Sequence, residues 1–165
     1  PGLTYYGFKA PIPRLTMPTY AELMTQDDGQ GLNRSYMASE ENFRILKSLE
    51  KKNLLVPLVG DFAGSKALRA IGQYLKDRGA TVTTVYASNV EQYLFQQTGN
   101  WEKYYSNLAT VPMDPSSTFI RSVLSFRPVC PTCVTNTLTC PIADLLGAFN
   151  AGQIETYRDV ILMSQ

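Results

Sequence analysis

Two short groups of residues carry types and spacings that could do chemistry. The first is Gly60-Asp61 with Gly64 and Ser65, where an apolar run gives way to a helical pattern. Asp61 could accept hydrogen bonds from a ribose, an amine or a substrate hydroxyl. Gly60 and Gly64 would admit a ligand close to the backbone, and a helix opening at Ser65 would favour an anionic group. The plain alternative is that Asp61 and Ser65 cap that helix while the glycines serve its turn. The second group is Asn89 and Glu91, after the next apolar run. Asn89 could orient a planar amide and Glu91 could stand as a carboxylate at a site mouth. They equally suit an N-cap and a first-turn acid. Neither group matches G-x-G-x-x-G or a P-loop, so dinucleotide and triphosphate binding have no support.

Other reactive types are sparse. The chain has no histidine, which removes the commonest catalytic base and metal ligand. Cys130, Cys133 and Cys140 lie in "RPVCPTCVTNTLTCP". A single C-x-x-C plus one cysteine falls short of the four ligands of a closed zinc site. Free thiols, one disulfide from Cys140 to Cys133 or Cys130, and a metal all stay open for this loop. Tyr5, Tyr6, Tyr104 and Tyr105 could wall a pocket, or simply pack. A net charge of +1 gives no general attraction to nucleic acid, and no apolar window is long enough to span a membrane.

The elements that must position these residues follow from periodicity. Residues 1–38 read as an extended Pro/aromatic arm, with a short helix over "TYAELM" capped by Thr19. From Ser39 to Gln165 the pattern is that of one α/β domain. Ser39 opens a helix, "SEENFRILKSLEKK", acidic at its start and basic at its end. Leu54–Val59 is a continuous apolar run that predicts a buried strand, weakened by Pro57. Ser65–Arg78 predicts an amphipathic helix ended by Gly79, and Thr81–Tyr86 a β-branched strand. A helix from about Asn89, an amphipathic turn over Trp101–Asn107, a strand or helix over Thr118–Phe126, and two terminal helices (Ala143–Ala151 and Ile154–Met163) complete the pattern. Strand, helix and strand in sequence predict a βαβ unit of a Rossmann-like parallel sheet, incomplete in this chain. Both polar groups would then lie at strand carboxyl ends, the ligand-binding edge of such sheets.

The segments "VPLVGDFAGSKALRAIGQYLKDRGATVTTVYASNVEQYLF", "MPTYAELM", "SYMASEENFRILKSLEKKNL", "MDPSSTFIRS" and "AFNAGQIETYRDVI" resemble a family of uncharacterised bacterial proteins with a methyltransferase-like Rossmann fold. The resemblance covers most of the chain, and "GDFAGSKALRAIGQYL…YASNVEQYLF" is its most specific part. It implies that these segments form the C-terminal half, and that the cradle for S-adenosylmethionine belongs to an N-terminal half. No glycine-rich cofactor loop occurs in this sequence. S-adenosylmethionine is therefore implied by the resemblance alone.

Two functions are carried forward. One is a Rossmann-like domain of unknown substrate, related by fold to S-adenosylmethionine-dependent methyltransferases, taking a small molecule at Asp61 and Asn89. The other is a non-catalytic structural or interaction subunit of a larger assembly. In both, two firm strands are too few, so a missing N-terminal half or another polypeptide is expected to complete the sheet. The residues assign no compartment.

Overall fold

The computed structural model describes residues 19–124 and 135–164. The chain divides into two compact units, at Pro57 and Leu58. In the first, α1 (Tyr20–Thr25) starts on a capping box, with Glu22 N donating to Thr19 Oγ1 at 3.2 Å and Glu22 Oε2 accepting from Thr19 N at 2.6 Å. In α2 (Glu40–Lys51), Asn42 N donates to Ser39 Oγ at 3.1 Å. This cap and the acidic first turn are what the sequence led us to expect. No residue of α2 is buried, and Phe43, Ile45 and Leu49 are exposed.

The second unit holds α3 (Ala67–Lys76), β1 (Val82–Ser88), α4 (Val90–Leu94), α5 (Asn100–Leu108), β2 (Met113–Leu124), β3 (Thr135–Pro141), α6 (Ile142–Asn150) and α7 (Tyr157–Leu162). Among the described residues the sheet has three strands, in the order β1-β2-β3. β1 runs parallel to β2, and β3 antiparallel to it. The expected Rossmann-like parallel sheet is therefore corrected to a small mixed sheet accompanied, over both units, by seven helices among the described residues.

Two segments account for the difference. Leu54–Val59 forms no strand: all six residues are exposed, and no ladder hydrogen bond involves them among the described residues. A short apolar run has no period that separates a strand from other states, and Pro57 lacks the donor a central strand needs. The βαβ unit thus loses its first strand. Thr135–Pro141, assigned from the sequence to a Pro/Cys-rich loop, is instead a strand. Its T-x-T-x-T alternation sends Leu138 and Cys140 to one face and Thr137 and Thr139 to the other. The ambiguous segment around Thr118 resolves as strand and begins earlier, at Met113. Between the Val82↔Met113 and Thr84↔Thr118 pairs the β2 strand bulges, and Ser117 Oγ donates to Val82 O at 2.7 Å across it.

One face of the sheet is covered. Phe119, Arg121 and Cys140 point into it with Ala87, beneath Leu94, Tyr104, Tyr105, Leu108, Ile142, Leu145 and Val160. An aromatic layer knits α4, α5 and α6: the Phe95 and Trp101 rings stack 4.8 Å apart, and Tyr105 meets Phe149 edge-on at 5.5 Å. The opposite face presents Thr84, Tyr86, Thr118, Ile120, Ser122, Thr137 and Thr139, all exposed or half-buried. α3 approaches the sheet's end through Gly72, where an added Cβ would lie 2.9 Å from Thr110 O.

Candidate functional site

Glu91 and Arg121 form the chemical centre of the molecule. Glu91 enters in the first turn of α4, directly after β1, and Arg121 points inward from the middle of β2. Both are completely buried. Arg121 Nε donates to Glu91 Oε2 at 2.7 Å and Nη2 to Oε1 at 3.2 Å, a two-pronged pairing. Tyr105 of α5 donates its hydroxyl to Glu91 Oε1 at 2.6 Å. Arg121 Nη1 donates to Val160 O at 3.1 Å, to the Ser164 hydroxyl and, at 3.5 Å, to Cys140 Sγ. The guanidinium also lies 4.6 Å from the centre of the Phe119 ring.

This arrangement explains its own electrostatics. Burial opposes the Arg121 charge, but the Glu91 carboxylate outweighs it and holds the guanidinium pKa above its ordinary value. Burial, then the neighbouring Glu91 charge, pushes the Tyr105, Tyr104 and Tyr157 phenols well up. These phenols therefore stay protonated near neutral pH. The Tyr104 and Tyr157 hydroxyls are buried with no hydrogen-bond partner among the described residues. The cluster ties five elements together, α4, α5, β2, β3 and α7, and its Glu91 and Arg121 side chains are closed to solvent.

Glu91 is accordingly not a carboxylate at an open mouth. Asn89 occupies the cap position of α4 but makes no side-chain capping bond. The other sequence-derived group is a tight turn. Asp61 Oδ1 accepts from Ala63 N at 2.9 Å, and Asp61 O accepts from Gly64 N at 3.1 Å. Glycine is required at position 60, because a Cβ there would collide with Ala67 Cβ. Ser65 does not cap the following helix. α3 starts at Ala67, Lys66 stands at its cap position, and no side chain caps it. Gly60, Asp61, Gly64 and Ser65 thus sit on one turn, but no hydrogen bond joins them to Asn89 or Glu91 among the described residues.

What holds that turn is Asn107, which the sequence did not mark. Its Nδ2 donates to Phe62 O at 3.1 Å and Gly64 O at 2.8 Å, and its Oδ1 accepts from Arg69 Nε at 2.8 Å. Phe62 in turn meets the Tyr104 ring edge-on at 5.8 Å, and Tyr104 packs on Tyr105 at 5.4 Å. Packed rings therefore run from the Asp61 turn to Glu91. Tyr104 and Tyr105 are core residues, while Tyr5 and Tyr6 lie outside the described residues. Arg121 was also missed, although a lone cation inside "TFIRSVL" is a legible sign of a buried partner.

Cys140 lies on β3 against Arg121, whereas Cys130 and Cys133 fall outside the described residues. Among the described residues no cluster of three or more His, Cys, Asp or Glu could hold a metal. No helix there is long and apolar enough to cross a membrane. Two depressions open to solvent run along α2, lined by residues such as Arg44, Ile45 and Leu49.

Residues 13–137 match the model of a family described as "Domain of unknown function (DUF7790)". The chain belongs to that family. The match takes in the Asp61 turn, Glu91, Tyr105, Asn107 and Arg121, and ends before Cys140, α6 and α7. The family's description names no activity, fold or source organism. The sequence matches none of the curated proteins.

Proposed function

We propose that this chain is a non-catalytic interaction subunit of a larger assembly, and that it engages a strand of another polypeptide through Leu54–Val59. One observation carries the reading: Leu54, Leu55, Val56, Leu58 and Val59 form an aliphatic run interrupted only by Pro57, and every member is exposed. Contiguous exposed apolar surface marks interaction sites in chains that do not aggregate. The run carries no charge, and its backbone from Leu55 to Gly60 makes no hydrogen bond among the described residues. An extended partner strand supplies those bonds and covers alternate side chains, with Pro57 at a position where no donor is required.

The catalytic alternative has less beneath it. The described residues hold a three-stranded mixed sheet, the sequence has no glycine-rich cofactor loop, and the best-formed polar cluster is sealed inside the core. Light scattering behind size-exclusion chromatography tests the proposal. The chain alone is expected to self-associate with rising concentration through the uncovered run, and Leu55→Ser with Leu58→Ser to elute as a monomer. A wild-type monomer whose Leu55 and Val59 amides exchange slowly would overturn it, since those amides would then be paired internally. Heat evolved on adding S-adenosylmethionine would overturn it from the other side, by giving the chain a ligand of its own.

A further inference from the structure

We infer that Asn53–Gly60 is a site of endoproteolytic modification, taken by a protease that selects aliphatic side chains. A protease binds its substrate as an extended strand, through main-chain hydrogen bonds and pockets for neighbouring side chains. Four observations meet at this segment. Every residue from Lys51 to Phe62 is exposed, and Val59 completely so. Its first two residues are tied back to the preceding helix, Asn53 N to Glu50 O and Leu54 N to Leu49 O, both at 2.9 Å; among the described residues the next backbone bond is Asp61 O accepting from Gly64 N at 3.1 Å. From Leu55 to Gly60 the donors and acceptors a protease must engage are therefore unpaired among the described residues, and no structure there has to be opened first. The segment also spans the junction of the two compact units. Finally, among the described residues every buried apolar one lies downstream, from Ala63 to Val160, so the cut removes none of these from the core.

The reaction is simple hydrolysis. The scissile C–N bond breaks, the water hydroxyl joins the carbonyl carbon, and the proton passes to the leaving amine. The Asn53–Leu54, Leu54–Leu55, Leu55–Val56 and Leu58–Val59 bonds offer aliphatic side chains on one or both sides. The Val56–Pro57 bond is spared, because the proline nitrogen bears no hydrogen and its ring restricts the backbone. This inference rests on exposure and hydrogen bonding, and stands whether or not a partner docks. The free chain is the substrate, and a docked strand would shield it.

Limited digestion of the full chain with thermolysin, which cuts before large aliphatic residues, followed by intact-mass spectrometry, provides the test. Cleavage within Asn53–Gly60 is expected to precede any cleavage within Ala63–Leu124. The product that begins in this segment should keep the near-ultraviolet circular dichroism of its aromatic core. Leu55→Pro combined with Val59→Pro should suppress these cuts and leave that spectrum unchanged. Cleavage of Ala63–Leu124 at the same rate, or a product that loses its aromatic signal, would overturn the inference. Self-association of the chain reads the partner proposal separately, so the failure of one does not mimic the failure of the other.

Discussion

Replacing Glu91 with methionine tests the central ion pair most directly. The change removes both acceptors of Arg121 Nε and Nη2 and the acceptor of the Tyr105 hydroxyl, all at zero or near-zero exposure. An uncompensated buried charge destabilises by about 3–5 kcal/mol. The orphaned phenol adds about 1–3 kcal/mol. Together these approach the whole stability of a small domain, about 5–15 kcal/mol. Arg121→Met should cost about 3–5 kcal/mol on the same grounds, since the carboxylate keeps only Tyr105. The double variant should recover most of the loss, because methionine fills similar volume and leaves no charge behind. Urea unfolding followed by the fluorescence of the single tryptophan, Trp101, which stacks on Phe95 beside Tyr105, reports all three. The denaturant slope must stay constant for the differences to be read as stability. If each single change costs less than about 1 kcal/mol and the two simply add, the pair behaves like a surface one and the reasoning is refuted.

Further expectations follow from neighbouring contacts. Tyr105→Phe should destabilise by about 1–3 kcal/mol, whereas Tyr104→Phe should be neutral or slightly stabilising, because only the first hydroxyl has a partner; chemical denaturation of both variants decides this. The contribution of the buried phenols to stability should be level below about pH 10 and fall above it. The unfolded phenols ionise near the ordinary value of 10.0 while the folded Tyr104 and Tyr105 resist, so the folded state holds more protons. Each group still protonated in the fold then lowers stability by about 1.4 kcal/mol per pH unit, measurable by unfolding between pH 9 and 12. Asn107→Ala should speed amide exchange at Ala63 and Gly64 by freeing the Asp61 turn, with a loss of about 1–3 kcal/mol. Gly72→Ala should lower the thermal midpoint despite alanine's better helix propensity, as the new methyl meets the Thr110 carbonyl, which is backbone and cannot swing away.

Helices with local signals were legible in the sequence. α1 and α2 begin at Thr19 and Ser39 because those side chains accept bonds from residues three along, a relation contained within one turn. α3, α6 and α7 lie within the segments assigned from their apolar spacing, give or take a residue at one end. Strands were harder, since a strand exists only if something pairs with it. Thr81–Tyr86 was recognised because β-branched residues cluster there, and β2 offers it a neighbour. Leu54–Val59 looked more strand-like still, yet nothing within the described residues pairs with it. β3 was hidden behind the prolines and cysteines before it, although Thr135–Pro141 pairs residue for residue with Leu124–Thr118.

The sequence by itself determined where α1 and α2 start, the break at Asp61 and the acid-to-base polarity of α2, because these depend on groups a few residues apart along one chain. Tertiary structure alone decided what Glu91 is. Its first-turn position suited a solvent-facing acid, but Arg121, thirty residues on, arrives from the adjacent strand and takes both its oxygens. The same holds for Asn107, whose side chain reaches back to residues 62, 64 and 69. Buried polar groups are satisfied by whatever the fold places within about 3 Å, and no local pattern along the chain encodes that meeting.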